Sequence, residues 1–343
     1  MNEGWMAEKR MVTVERRRQQ ATLSGVVGEP GDPREARRWI WPFGLAPWFL
    51  VGLLVGLLVG VAPASAQTEL AENPDCAGPV QDMIKEPSLR VLSANLAHGR
   101  GTGFNQVLQS AETARENIRQ AAASLELLDA DVVGLQEADA VSRWSGGFDH
   151  VMAIADAAGY GCHLHGLHAQ SRFFQYGTAL LSRFAFGKTA VHHFEPTPPA
   201  QRKGFVAAQV AWNPAGLLES PRFVTIASVH LDFSSGDNRA SQLAEMEEAL
   251  SAFPRPLVLL GDFNIQWDDQ DGLLRRFADA LGLVAFQTES EALATYGSDK
   301  RLDWILVSSD LAFMEYRVIE DDISDHLPVW AQLRWIGRQG ESP

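Results

Sequence analysis

Eight polar residues have the types and placement to do chemistry: Asn95, Glu137, His230, Asp262, Asn264, Asp303, Asp325 and His326. Four apolar runs end on members of this set. Val91-Leu92-Ser93-Ala94 leads into Asn95, Val132-Val133-Gly134-Leu135-Gln136 into Glu137, Val224-Thr225-Ile226-Ala227-Ser228-Val229 into His230, and Leu257-Val258-Leu259-Leu260-Gly261 into Asp262-Phe263-Asn264. Arg301-Leu302-Asp303-Trp304 and Ser324-Asp325-His326-Leu327-Pro328 supply the rest. Glu137 and Asp325 are hard oxygen ligands suited to Mg²⁺ or Mn²⁺. Such an ion polarises a phosphoryl oxygen and steadies charge on a leaving group. A histidine beside a carboxylate can shuttle a proton or donate to phosphate near neutral pH. Asp262 could orient and deprotonate an attacking water, while Asn95 and Asn264 offer neutral donors that add no negative repulsion. These residue types point to hydrolysis of a phosphate ester.

The elements that must hold these groups can be read from hydropathy. Strand patterns occur at residues 89–94, 131–135, 178–181, 206–212, 223–229, 256–260, 302–307 and 329–333. Helical periodicity is clearest over 111–128, where Ile118, Ala121, Ala122, Leu125 and Leu128 share a face. It recurs over 238–253 and 272–281. No long linker divides this stretch, so one α/β domain spanning 88–336 is expected. An apolar strand is buried along its length, so a polar residue at its C-terminal end sits on a rigid mount at the sheet's rim, where α/β folds bind ligands.

Each signal has a plainer reading. Asp262 and Asn264 are common turn residues, His230 could be a satisfied core histidine, and Asp303 could form a surface ion pair. Asp139 reads as a solvated carboxylate beside Glu137. His163, His165 and His168 mimic a transition-metal run, but no carboxylate or cysteine nearby completes it, and a place near the substrate mouth is expected. Arg172 and Tyr176 could touch phosphate or leaving group, whereas Arg239 and Gln242 should brace the loop after His230. Most of the ten tryptophans are expected in the core or in the N-terminal region rather than on a base-stacking surface.

Charge is uneven. Residues 1–66 hold 8 Lys+Arg against 6 Asp+Glu, which leaves −16 on the remaining 277 residues of a chain whose net charge is −14. That argues against broad electrostatic capture of nucleic acid, though not against a nuclease whose metal-binding carboxylates inflate the acidic count. Two cysteines, Cys76 and Cys162, cannot build a cysteine zinc site. They are either a disulfide joining the lead-in at 67–87 to the body or two separate buried thiols. Residues 1–38 read as a disordered or basic region. Residues 39–66 read as a signal peptide or uncleaved anchor: an arginine flank, a 14-residue apolar run at 48–61 and an Ala64-Ser65-Ala66 ending. Either reading exports the body to the periplasm or extracellular space. Residues 337–343 form a tail.

The ordered set Asn95, Leu135-Gln136-Glu137, Gly177-Thr178-Ala179-Leu180-Leu181-Ser182-Arg183, His230-Leu231-Asp232, Gly261-Asp262-Phe263-Asn264, Arg301-Leu302-Asp303 and Ser324-Asp325-His326 resembles the endonuclease/exonuclease/phosphatase superfamily. That group includes deoxyribonuclease I, exonuclease III, abasic-site endonucleases, neutral sphingomyelinases and inositol polyphosphate 5-phosphatases. The resemblance implies a four-layer α/β/β/α sandwich with two central mixed sheets. It implies Glu137 as principal metal ligand with Asn95 and Asp325 nearby, and His326 on the scissile phosphate, oriented by Asp303. It also implies Asp262 activating water, Asn264 holding phosphate or water, and His230 facing phosphate. Ala97 stands where many members carry Asp, Arg or His, so one contact is missing or moved to His98. Residues 95–103 are similar to the Asn-Ile-His-His-Gly-Arg-Gly-Thr opening of a bacterial branch grouped with eukaryotic proteins linked to glycosylphosphatidylinositol-anchor remodelling. The expectation is a monomeric phosphodiesterase with Mg²⁺ or Mn²⁺, acting on DNA, RNA, a lipid or a small molecule. Its rival is a non-catalytic surface or binding protein that kept the fold.

Overall fold

A computed structural model describes residues 67–71, 75–76, 81–214, 221–269 and 271–337. The basic region, the signal or anchor segment with its apolar run, and nearly all of the tail lie outside the described residues. Among the described residues, no helix is long and apolar enough to cross a membrane.

In chain order the strands are β1 (Gln67–Ala71), β2 (Asp75–Cys76), β3 (Ser88–Asn95), β4 (Val132–Asp139), β5 (Cys162–Gln170), β6 (Gln175–Ser182), β7 (Phe186–His193), β8 (Gly204–Trp212), β9 (Arg222–His230), β10 (Leu257–Asp262), β11 (Leu283–Ala285), β12 (Asp303–Ser308), β13 (Leu311–Val318) and β14 (Val329–Trp335). The helices are α1 (Ala111–Leu128), α2 (His150–Ala158), α3 (Gly236–Ser251) and α4 (Leu273–Ala280). Two seven-stranded sheets form, ordered β1-β7-β8-β9-β10-β12-β11 and β13-β14-β3-β4-β6-β5-β2. Within each, one pair is parallel, β9 with β10 and β3 with β4, and the other pairings are antiparallel.

Strand alternation explains the layers, because neighbouring side chains on a strand face opposite ways. Val91 and Leu260 point into a core shared by the two sheets, with Val132, Leu180, Val206, Ile226, Ile305 and Val329. Their neighbours Leu92 and Leu259 point outward, Leu92 to Ile118 and Leu125 of α1 and Ile154 of α2, Leu259 to Leu243 and Met246 of α3 and Phe277 of α4. Each such aliphatic side chain contributes roughly 1.5–3 kcal/mol by leaving water. The result is one domain with the four-layer order the resemblance implied. Helix α1 starts where Ser110 caps it, its hydroxyl accepting from the Thr113 amide at 3.0 Å. It ends at Asp129, whose left-handed backbone (φ 48°) closes the last turn.

The lead-in is more than a lead-in. β1 pairs with β7 and β2 pairs with β5, so residues 67–76 extend the edges of both sheets. Cys76 and Cys162 form a disulfide across the second of these contacts. That selects the first of the two readings left open for this pair.

Candidate active site

Strand register gathers the site. In one sheet Gly204 of β8 is opposite His230 of β9, His230 is level with Asp262 of β10, and Asp262 is opposite Asp303 of β12. Three chain-distant polar residues therefore stand in a single row at the rim. Gly261 permits this crowding: a Cβ there would lie 2.1 Å from the Val229 carbonyl oxygen, at a φ of 156° that side chains disfavour. In the other sheet Asn95 is opposite Gln136. The ladder between β4 and β6 then slips between Leu135 and Ala138, placing Glu137 in a bulge with φ 46°. Bulges re-aim side chains, and a non-glycine residue held at positive φ carries strain that the surroundings must hold in place.

Buried polar contacts lock the rims together. Gln136 Nε2 donates to Ser228 Oγ at 3.0 Å, and Ser228 donates to the Leu135 carbonyl at 2.9 Å. Asn95 Nδ2 donates to Asp262 Oδ2 at 3.1 Å, while Asn95 Oδ1 accepts from the Ala97 amide. Asp262 Oδ2 is also 3.5 Å from His230 Nε2 and 3.9 Å from His326 Nε2. Glu137 lies between two histidines, its Oε1 4.0 Å from His230 Nε2 and its Oε2 3.4 Å from His98 Nε2. His326 Nδ1 is 2.8 Å from Asp303 Oδ2, which also accepts from Thr295 Oγ1 at 2.7 Å. The ring of Tyr296 packs on His326 with centroids 4.7 Å apart.

Burial and neighbouring charge set the protonation states. Burial pushes the Asp262 carboxyl up to about 7; Asp303 and Glu137 add to the rise and His326 opposes it. Burial works against a charged His326, yet Asp303, Asp262 and the hydrogen bond the ring donates to Asp303 outweigh it and raise the imidazole to about 10. His230 moves the other way: burial, then the Lys203 ammonium, hold it well below the ordinary histidine value. Lys203 Nζ is 3.1 Å from His230 Nε2, and burial lowers its own pKa. The site thus pairs a neutral histidine with a cationic one, on either side of a carboxylate that titrates near neutrality.

The structure brings Asn95, Glu137, His230, Asp262, Asp303 and His326 into one cluster. Asn264 adjoins it with its side chain committed, Nδ2 donating to the Leu231 carbonyl at 3.1 Å and its amide to Asp262 Oδ1 at 3.0 Å. Asp325 is at its edge, where Arg100 Nη2 donates to its Oδ2 at 2.7 Å. His98 stands where the missing contact at Ala97 was sought, with Nδ1 2.9 Å from Asp139 Oδ2. Tyr176 is buried edge-on against His98, and Arg172 is on an exposed loop over the Phe173 ring. Neither has a hydrogen bond or ion pair to the central carboxylates.

Asp139 corrects the sequence reading. It is fully buried rather than solvated, accepts from Trp144 Nε1 at 2.9 Å, and holds His98. Although burial opposes its charge, the hydrogen bond and charge of His98 draw its pKa down. Two members of the histidine run have partners of their own. His165 Nε2 reaches the Ala138 carbonyl, and His168 is enclosed between Thr178 and His193. The bracing role holds, because Arg239 donates to the Asp232 carbonyl and Gln242 accepts from its amide. Sequence reasoning missed Lys203, Arg100 and Thr295. Only Lys203 left a signal, as a cation directly before the strand that flanks His230.

The donor set fits a divalent cation. Burial first, then the neighbouring charges of Asp303 and Glu137, raise the Asp262 carboxyl to about 7, and a cation among these oxygens would favour its charged form. Asp262, Asp303 and His326 present ligand atoms within 4.8 Å of one another. We favour Glu137 over that trio, since Asp303 and His326 already satisfy each other.

Residues 92–326 match the sequence model of the Endonuclease/Exonuclease/phosphatase family. Over 117 residues the chain is 31% identical to UPF0294 protein YE0917 of Yersinia enterocolitica, a stretch covering 33% of this chain and only 44% of that protein. Among solved structures it is similar to an endonuclease/exonuclease/phosphatase from Beutenbergia cavernae, with TM-score 0.56, 20% identity and 73% of this chain matched to 72% of that one. It is also similar to the human Nocturnin catalytic domain with bound sulfate, with TM-score 0.52, 20% identity and 74% of this chain matched to 97% of that one. The chain belongs to the endonuclease/exonuclease/phosphatase family.

Proposed function

We propose that this chain is an exported, Mg²⁺- or Mn²⁺-dependent phosphodiesterase that cleaves by in-line attack of water. The family's members hydrolyse phosphoester bonds, and the observation that carries the reading here is the pairing of Asp262 with the His326–Asp303 dyad on one rim. A carboxylate titrating near 7 can take a proton from water and still be substantially ionised at neutral pH. The imidazolium of His326, oriented by Asp303, donates to a phosphoryl oxygen and steadies charge developing on it. Neutral His230 is a second donor facing the same space. Asn95 keeps Asp262 aligned, and Asn264 fixes the turn that presents it. Glu137 would hold the cation, with Asn95 and Asp325 beside it, and the bound ion supplies electrostatic stabilisation of the transferred phosphoryl group.

The Cys76–Cys162 disulfide supports an oxidising compartment, consistent with export by the N-terminal segment, cleaved or retained as an anchor. We propose a monomer. The test is a panel of plasmid DNA, RNA, sphingomyelin and phosphoinositides, each with and without Mg²⁺ or Mn²⁺. Metal-dependent cleavage of at least one supports the proposal. A protein that binds neither ion and cleaves nothing is the non-catalytic alternative.

A further inference from the structure

The mouth of the site has an unusual surface. Residues 101–110, 140–148 and 171–174 contain no Asp or Glu, although the chain carries 43 acidic residues, and they include Arg143 and Arg172. They also hold a concentration of exposed large apolar side chains: Phe104 at 76%, Val107 at 61%, Leu108 at 79%, Val141 at 62% and Phe173 at 42% exposure. The three loops are contiguous. The 3₁₀ turn Gln106–Leu108 packs on the turn Arg143–Ser145, and the Arg143 amide donates to the Phe173 carbonyl at 2.8 Å.

Beneath the patch the packing leads to the reacting groups. Trp144 stacks on Phe174 with centroids 4.5 Å apart and donates to Asp139. Asp139 holds His98, which faces Glu137. From the same side Arg100 reaches Asp325, and Gly101 bridges to Ser324. A surface that is apolar, free of acids and edged with arginine suits an interface that is greasy inside and anionic at its rim. A nucleic-acid strand would call for a denser run of cations than Arg143 and Arg172 provide. Contiguous exposed apolar area of this kind marks a docking surface.

We propose that these three loops dock the protein on an anionic phospholipid surface, so that the phosphodiester entering the rim is carried by a lipid. This rests on the phosphodiesterase reading above and names the substrate class for that same site. The body's strong negative charge, including Glu320, Asp321 and Asp322 in the segment that Gly101 bridges, keeps the remaining surfaces off such a membrane, which leaves the three acid-free loops as the face that approaches it.

The test reads local insertion, so that membrane contact by the N-terminal segment does not count. The full chain carrying Leu108→Cys is labelled with an environment-sensitive dye and mixed with phosphatidylcholine vesicles with or without phosphatidylglycerol. A second protein carries the dye at Glu315→Cys on β13 as a remote control. The expected result is a blue shift and brighter emission at position 108 only, stronger with phosphatidylglycerol. Adding Val107→Ser should weaken the response about tenfold, since burying one aliphatic side chain is worth at least that factor. Arg143→Glu should remove the preference for phosphatidylglycerol. Hydrolysis of soluble bis-p-nitrophenyl phosphate should be unchanged in the Val107→Ser protein, which also checks its fold. No shift with either vesicle, an equal shift at Glu315→Cys, or a shift that follows protein concentration without vesicles would overturn the proposal, the last pointing to self-association. A wild-type chain that inserts at 108 but hydrolyses no phosphodiester would sink the catalytic reading and leave the docking surface standing.

Discussion

Asp303→Asn should uncouple the His326 dyad, and the size of the effect can be worked out. An ordinary histidine titrates near 6.5, whereas His326 is raised to about 10 against the cost of burial. That difference corresponds to about 5 kcal/mol between its protonation states. Asp303 at 2.8 Å and Asp262 at 3.9 Å share it, so the closer partner should account for roughly 2–4 kcal/mol by Coulomb's law and the hydrogen bond. Because the folded pKa lies above the unfolded one, the stabilisation is complete below pH 6.5, shrinks as pH rises, and is gone above about 10. Urea unfolding of wild type and Asp303→Asn should therefore differ most at pH 6, less at pH 8 and little at pH 10. Histidine NMR titration, with His326→Gln to assign the resonance, should place wild-type His326 near 10 and move it well down in the variant. Turnover should fall on the order of 10²–10⁴-fold, the usual range for a lost proton donor. A stability gap that does not vary with pH, or a wild-type His326 titrating at or below 6.5, would refute this reasoning.

Further outcomes follow from the same geometry. Burial holds the Asp262 carboxyl up to about 7, so its charge costs the fold stability as pH rises from the unfolded value toward 7. Asp262→Asn should be more stable than wild type by about 2–4 kcal/mol at pH 8 in cation-free buffer, while losing activity. In the wild type the rate should rise with pH as Asp262 ionises, with a midpoint below about 7 because the bound cation favours its charged form, and fall near pH 10 as His326 loses its proton; a rate that rises only above pH 7 argues against a cation beside Asp262. Gly261→Ala pushes a methyl against the Val229 carbonyl at 2.1 Å. It should cost about 3 kcal/mol or more and displace Asp262, which thermal melts and activity will show together.

Much of this was legible in the chain, for identifiable reasons. The 111–128 periodicity matches α1 residue for residue, because Ser110 caps it and its apolar stripe meets a sheet. The eight strand-like runs all became strands, since each carries enough apolar length to be buried on both faces. α2 was missed because its sequence, His150 to Ala158, is apolar nearly all round and short, so periodicity is mute. β5 hid behind histidines, and β13 behind polar outward positions on an edge with an irregular register.

Asn95, His230 and Asp262 were visible because they end strands. Their partners were not, because partnership is set across the fold. Arg100 meets Asp325 from 225 positions away, and Lys203 meets His230 only because Gly204 is registered opposite it. Asp139 illustrates the limit. A carboxylate two residues past a strand-end glutamate looks solvent-bound until the bulge at Glu137 turns it inward, under Trp144.

The most direct test of the central claim is hydrolysis of bis-p-nitrophenyl phosphate by the wild-type chain, by the wild-type chain in EDTA, and by Asp262→Ala and His326→Ala. Hydrolysis with Mg²⁺ or Mn²⁺ that EDTA and each substitution abolish is the predicted result. Activity that survives all three treatments would contradict a cation-assisted reaction at this rim.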